Sequence, residues 1–385
     1  MRIAVPIETS DYETRVAATP ETVKKFIAAG CDVIVQKGAG ESANLTDSAF
    51  EDAGASLADS FALTCQDADL VIKVRAPSKE ELTQLSSGTA LASLMSPFSN
   101  PLLKDYAQAG LRCFCLEMIP RISRAQSMDV LSSQANIAGY KAVLLALEHY
   151  KRFMPMLMTA AGTVQPARIL IMGAGVAGLQ AIATARRLGA IVEAFDVRAA
   201  AKEQVESLGA KFVEVQLEDS GDNADGEDAG GYAKEMSDEY KQKQAELIAE
   251  HAAKSDIIIT TALIPGRPAP VLVTEETLAK MRPGSVIVDM AAEAGGNCPM
   301  TEKDAVWIKD GVTLIGTSNI PALMATDASQ LLARNVLNFI TPMLETASDD
   351  SAASLNINME DEVIAASLIC NDGEFLKPQL LGKKE

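Results

Sequence analysis

Histidine and tryptophan are scarce in this chain of 385 residues, which has two of the first, one of the second and an aromatic content of 4%. His149 and His251 fall on predicted helices with no carboxylate or thiol at ligand spacing, so no metal site is expected and both read as structural. The six cysteines, Cys31, Cys65, Cys113, Cys115, Cys298 and Cys370, form no CxxC pair. Most sit in apolar surroundings, which favours reduced core thiols over a disulfide framework. There is no Lys/Arg run, and the net charge of −18 repels nucleic acid and anionic headgroups, so no nucleic-acid partner is expected. The longest strongly apolar stretch, Ile257 to Ile264, falls far short of the roughly 18 residues that cross a bilayer, so no membrane span is expected. The opening Met1 to Pro6 reads as a strand without the plan of a signal or transit peptide, which points to a cytoplasmic protein.

What is present is ordinary globular composition, 48% apolar and 22% charged, in a chain long enough for two cores. Two domains imply a cleft. Strand and helix patterns alternate: Ile3 to Val5, a helix from Thr19 to Gly30, Asp32 to Gln36, Asp69 to Val74. The first helix carries its own punctuation, with Thr19 as N-cap, Pro20 at the first helical position, Gly30 as terminator and Val23, Phe26 and Ile27 on one face. Such alternation predicts α/β architecture, with helices flanking parallel sheets.

From Pro120 to Pro155 the chain has no further proline and one glycine, Gly139, which predicts a long helix crossing between domains. Strands then follow at 168–172, 191–195, 211–215, 256–261, 285–289 and 312–316, with helices from about 175 and over 235–252. A second long helix over about 326–340 ends before Pro342 and could return the chain to the first domain. The stretches Leu355 to Met359 and Val363 to Ile369 read as short strands before a turn at 371–373. The predicted fold is two Rossmann-like doubly wound parallel-sheet domains joined by long helices, with a cleft between them. The expected domains are 1–135, completed by about 325–385, and 136–324.

The run Gly173-Ala-Gly175-Val-Ala-Gly178 follows an apolar strand and opens an alanine-rich helix. Gly173 permits the tight turn, Gly175 lets a pyrophosphate approach the backbone, and Gly178 lets helix and strand pack closely. Asp196 ends the next strand, eighteen residues after Gly178, where a carboxylate binds ribose hydroxyls and repels a 2′-phosphate. That arrangement predicts an NAD(H) site, although Arg198 nearby could accept the phosphate of NADP. A second pair, Gly38-Ala-Gly40, lacks a third glycine and reads as a turn.

Two stretches stay open on residues alone. The segment Pro120 to Gln134 is dense in polar groups, with Arg121, Arg124, Gln126 and Asp129 within nine residues. It is either helix capping, by Ser127 or Asp129, or the lining of a cleft, and the density favours the lining. The acidic, glycine-rich Glu218 to Gly231 reads as a mobile loop, either a solvated insertion or a lid ending at Tyr232.

Almost the whole chain resembles the alanine dehydrogenase and nicotinamide nucleotide transhydrogenase family. It looks most like that family's soluble NAD(H)-binding transhydrogenase component. The resemblance lies in Glu13 to Pro20, Pro120 to Asp129, Gly173 to Gly178, Gly231 to Met236, Thr260 to Gly266 and Glu293 to Cys298. It implies hydride transfer from NADH bound on this chain to NADP+ on a partner subunit. Arg121, Gln126, Asp129 and Ser132 would then surround the nicotinamide and its ribose, with Ile122, Ser123 and Arg124 in the same lining and Gln126 facing the partner. Arg121, Gln126 and Asp129 would stand closest to the reaction. The resemblance further implies that Val176 lies at the pyrophosphate turn, that Asp196, Val197 and Arg198 hold the adenosine side, and that Gly231, Tyr232, Gln244 and Leu263 close over the nucleotide, which favours the lid. Implied partners are NADP(H)-binding and membrane-spanning subunits and a second copy of the chain, with the protein peripheral at the inner face of the membrane.

Two other readings compete. An alanine-dehydrogenase-like enzyme would grip a keto acid with residues that resemble Arg15 and Lys73, which otherwise read as an ion-pairing arginine and a strand-end lysine. Such enzymes need a histidine in the segment matching Leu91 to Pro97 and an aspartate where this chain has Glu293, and no histidine is present there. A non-catalytic NAD(H)-binding subunit would keep the nucleotide turn but not Gln126.

Overall fold

A computed structural model describes residues 1–214, 238–345 and 353–381, and the chain falls into two compact units, Met1–Gln134 with Pro321–Glu385, and Ala135–Ile320. Among these residues, unit one is built on an eight-stranded sheet in the order Glu374–Phe375, Leu368–Asn371, Arg112–Cys115, Ala90–Leu94, Leu70–Arg75, Arg2–Val5, Asp32–Gln36, Ser56–Ala58. The last six are parallel, and the two C-terminal strands extend the edge antiparallel. The central strands are buried along almost their whole length, as parallel strands covered on both faces must be. Strand order reverses between Arg2–Val5 and Leu70–Arg75, and this switch point is where a doubly wound sheet opens a crevice.

Local chemistry accounts for the elements. The helix Pro20–Ala28 begins with Thr19 and Thr22 in a reciprocal capping box, buries Val23 and Phe26, and is followed by Gly30 at φ +82°. The segment read as a strand over 363–369 is instead the helix Glu362–Ser367, and strand begins only at Leu368. The cause is Asp361, whose Oδ1 accepts from Val363 N at 2.8 Å and caps a run containing Ala365 and Ala366. Of the stretch read as a strand over 355–359, only Leu355 is in one, in the pair Ser354–Leu355 with Leu344–Glu345.

Unit two carries a seven-stranded sheet in the order Lys211–Val213, Ile191–Phe195, Arg168–Met172, Ile257–Thr260, Val286–Asp289, Val312–Ile315, Val306–Lys309. The first six are parallel, and order reverses between Arg168–Met172 and Ile257–Thr260. The antiparallel edge strand Val306–Lys309 lies outside the strands that the sequence pattern predicts. Its signal is legible in retrospect: Asp310 and Gly311, both at positive φ, make a tight hairpin turn between alternating residues. The exposed hairpin Leu157–Thr159 with Gly162–Val164 was missed as well.

The helix Val130–His149 begins in unit one and ends in unit two, whereas Ala325–Ile340 lies wholly in unit one. No described helix is long and apolar enough to cross a membrane. Within unit two, Ala138, Ala142, Val143 and Ala146 join the core formed by Ile169, Ile171, Ala181 and Ile182. Gly139 is what permits this approach, because a β-carbon there would collide with the carbonyl of Ala177. Gly139→Ala is expected to destabilise the protein by roughly 1–3 kcal/mol in denaturant unfolding, although alanine is the better helix former.

Candidate functional site

In unit two the strand Arg168–Met172 runs into Gly173 at φ +104°, where a side chain would be strained and would strike Thr261 Oγ1. A β-carbon on Gly178 would collide with the Gly173 carbonyl, so the helix Val176–Arg187 packs against the strand end with no room between. Gly175 differs from both. Its φ is −75° and a β-carbon there would meet nothing within 4 Å, so glycine is needed neither for conformation nor for packing against this chain. It leaves open space before a helix N-terminus that no side chain caps, with first-turn N–H groups available to an anion. The residues fit a pyrophosphate.

Asp196 ties this turn to the end of the neighbouring strand. Its carboxylate accepts from Ala174 N at 2.7 Å, from Arg198 N at 2.9 Å and from Arg198 Nε and Nη2 at 2.9 Å. Burial pushes the carboxyl up, but the bonds from Arg198 and Ala174 outweigh it and hold Asp196 below the ordinary aspartate value. Across the switch point Thr261 Oγ1 donates to the Gly173 carbonyl at 3.1 Å. Val176 and Leu263 are exposed large hydrophobics, at 38% and 49%. Val197 and Gln244 are half-buried. Gly231, Tyr232 and the acidic stretch 218–231 lie outside the described residues.

The polar segment of unit one folds as a 3-10 helix over Ser123–Met128. With three residues per turn, Ile122, Ala125 and Met128 share the inward face and pack on the core. The same period puts Ser123, Arg124, Gln126 and Ser127 outward, with Arg121 exposed just before them. Asp129 accepts from Ser132 N at 2.9 Å and from Ser132 Oγ at 2.6 Å, capping the helix that starts at Val130. Capping is therefore real at Asp129, and it fixes the side chains of Asp129 and Ser132 together. Arg124 turns back onto this chain, bonding Asp361 at 2.6 and 3.0 Å and Glu362 at 3.4 Å.

At the switch point of unit one stands a buried ionic cluster that sequence reading did not assemble. Lys73, 1% exposed, lies 3.0 Å from Glu81 and 3.7 Å from Glu8. Arg15, 3% exposed, is bidentate to Glu13 at 2.6 and 2.7 Å and donates to Gln134 at 2.9 Å. Arg75 Nε reaches the same Glu13 at 3.1 Å. Burial pushes Glu8 up to about 7, against the pull of Lys73 and of the main-chain N–H groups of Val74 and Arg75. Two local clues exist: Ser78-x-x-Glu81, a capping box that places the Glu81 carboxylate, and Arg15, whose ion pair is with Glu13 two residues before it. Met95, in the segment that lacks histidine, is fully buried.

His251 bonds Glu193 at 2.7 Å, a partner 58 residues away that spacing could not suggest. The six cysteines are buried free thiols, and no group of three or more metal-binding side chains occurs among the described residues.

Two family models match the chain: "Alanine dehydrogenase/PNT, N-terminal domain" over residues 4–138 and "Alanine dehydrogenase/PNT, C-terminal domain" over 142–378. The chain is 49% identical to an NAD(P) transhydrogenase subunit alpha chain of Rhodospirillum rubrum, covering 100% of each. It is 44% identical to NAD(P) transhydrogenase subunit alpha of Haemophilus influenzae, covering 98% of this chain and 72% of that one. Among solved structures it is similar to a transhydrogenase from Sinorhizobium meliloti, with a TM-score of 0.87 at 47% identity, covering 98% of this chain and 100% of that one.

The glycine turn generates a paired prediction. Gly178→Ala is expected to cost roughly 1–3 kcal/mol or more of stability. Gly175→Ala is expected to leave unfolding within about 0.5 kcal/mol of wild type yet weaken NADH binding at least about tenfold, read by titration and denaturant melts on the same samples. Equal NADH affinity for Gly175→Ala and wild type would contradict it. Glu8 generates a pH prediction. A carboxyl raised from 4.5 to about 7 contributes stability that is present below 4.5 and lost as pH rises through about 7. Glu8→Gln should flatten the dependence of melting temperature on pH across that window, and an unchanged slope would contradict the assignment.

Proposed function

The chain belongs to the alanine dehydrogenase/PNT family, and we propose that within it this protein is the NAD(H)-binding component of a proton-translocating NAD(P)+ transhydrogenase, passing hydride between NADH and NADP+ held on a partner subunit. The observation that carries this choice over an amino acid dehydrogenase is the ionic cluster of unit one. Arg15 and Lys73, which would grip a keto acid, are buried against Glu13, Glu8 and Glu81 of the chain itself. No imidazole stands in the segment 91–97 to move a proton to a substrate carbonyl. Exchange of hydride between two nicotinamide rings needs neither acid, base nor metal. It needs approach of the two ring carbons to roughly 3–3.5 Å, with water kept out.

The residues divide that task. In unit two the first-turn N–H groups after Gly175 and Val176 take the pyrophosphate, with Gly173 and Gly178 setting the turn. Asp196, Val197 and Arg198 hold the adenosine side. The commitment of Arg198 to Asp196 supports selection of NAD over NADP, since a 2′-phosphate would have to break that pair. Gly231, Tyr232, Gln244 and Leu263 close over the nucleotide. In unit one Arg121, Gln126, Asp129 and Ser132, with Ile122, Ser123 and Arg124, take the nicotinamide and its ribose, and Gln126 faces the partner. The partners are an NADP(H)-binding subunit and membrane-spanning subunits that carry the protons, the chain itself pairing as a homodimer peripheral at the inner face of the membrane.

The test mixes the purified chain with NADH, NADP+ and a candidate NADP(H)-binding subunit. NADPH is expected to form only when both proteins are present. Failure of exchange in every mixture, with NADH bound, would leave only a non-catalytic binding subunit. NADH oxidation that depends on pyruvate and ammonia would overturn the proposal in favour of a dehydrogenase.

A further inference from the structure

A 3-10 helix of six residues is longer than that geometry usually sustains, because its hydrogen bonds are poorly aligned. The turn Ser123–Met128 therefore needs support from outside, and two asparagines on the helix Ala325–Ile340 supply it. Asn335 Nδ2 donates to the Ser127 carbonyl oxygen at 2.8 Å, and Asn338 Nδ2 donates to the same oxygen at 3.1 Å. The two residues are three apart, so they share a helix face and converge on one acceptor. Asn335 uses its other end as well, its Oδ1 accepting from Ser133 Oγ at 2.7 Å. It is 8% exposed, so water cannot readily replace either bond.

Asn335 thus bridges the two ends of the link Ser127 to Ser133, which contains Asp129 and Ser132. Its contact at Ser127 is one residue beyond Gln126. The helix carrying it is held in the core by Leu332, Val336 and Phe339, the last edge-on to Phe114 at 5.6 Å between ring centroids. The brace is buried at its base, and it meets the turn at Ser127, the residue after Gln126.

We propose that Asn335 and Asn338 are positioning residues for the nicotinamide end of the site, acting through Ser127 and Ser133 to hold Arg121, Gln126, Asp129 and Ser132 in the arrangement hydride transfer requires. The inference rests on the transhydrogenase reading. It assigns to two amides a task that their distance in sequence from the polar segment conceals.

The test uses the full chain assembled with its NADP(H)-binding subunit and compares wild type with Asn335→Ala, Asn338→Ala, the double variant and the isosteric Asn335→Asp. Three quantities are read: single-turnover hydride transfer from NADH to NADP+, the Kd for ADP-ribose, which lacks the nicotinamide, and the melting curve of the chain. The double variant should lower the transfer rate about 10- to 100-fold, while ADP-ribose affinity stays within about twofold and melting stays cooperative. Asn335→Asp should be as slow as Asn335→Ala, because a carboxylate still accepts from Ser133 but cannot donate to Ser127. If Asn335→Ala does not fold, Asn338→Ala carries the comparison. Transfer at the wild-type rate in the double variant would overturn the inference, as would a loss that merely tracks ADP-ribose affinity and melting. A wild-type assembly that binds NADH but transfers no hydride would instead overturn the functional reading beneath it.

Discussion

The first turn of the helix Val176–Arg187 is pressed from two sides, against the end of the strand Arg168–Met172 at Gly178 and against the helix Val130–His149 at Gly139, and neither position has space for a β-carbon. Much else follows from that double contact. It lays a helix N-terminus across the end of a parallel sheet at the point where strand order reverses. Asp196 then locks the turn by accepting from Ala174 and Arg198. The open space in front of Gly175 is the complement of this crowding, since the chain packs closely at Gly173 and Gly178 and leaves room where a phosphate would stand. An anion entering there meets N–H groups already aimed at it, so little reorganisation opposes binding.

Unit one has the same kind of switch point and treats it oppositely. Glu8, Glu13 and Glu81 face Lys73, Arg15 and Arg75, three acids and three bases in or beside the crevice, with most of the carboxylates and cations removed from water. Buried charges persist only when paired, and here Lys73 lies between two carboxylates while Glu13 meets two guanidinium groups. In a crevice occupied in this way, a small carboxylate substrate would meet cations already committed to the chain's own acids. On the proposed function the protein's contribution is alignment, which is what hydride exchange between nicotinamides demands.

Features decided within a few residues were legible in the sequence. Thr19, Pro20 and Gly30 mark the first helix because caps and terminators act locally. Gly173 and Gly178 are visible because only glycine satisfies a forbidden β-carbon, and Gly175 because a phosphate needs the space a side chain would fill. What escaped depends on pairs brought together by the fold. His251 finds Glu193, Lys73 finds Glu8, and Asn335 reaches Ser127 from 208 residues away. At Asp129 the residues alone leave the cap and the cleft lining as alternatives, although one carboxylate can serve both, since a cap fixes the direction of the group it uses. The helix Glu362–Ser367 escapes the sequence pattern because Val363 and Ile364 favour a strand locally, and the Asp361 cap overrides them.

On the proposed function, hydride passes directly between two nicotinamides with no acid or base of this chain taking part. The measurement that tests it most directly follows deuterium from NADH labelled at C4 on the transferred face, with the chain and its NADP(H)-binding subunit in ordinary water. All of the transferred label is predicted to appear at C4 of NADPH, with none exchanged into solvent. Hydrogen from solvent in place of the label would contradict the account.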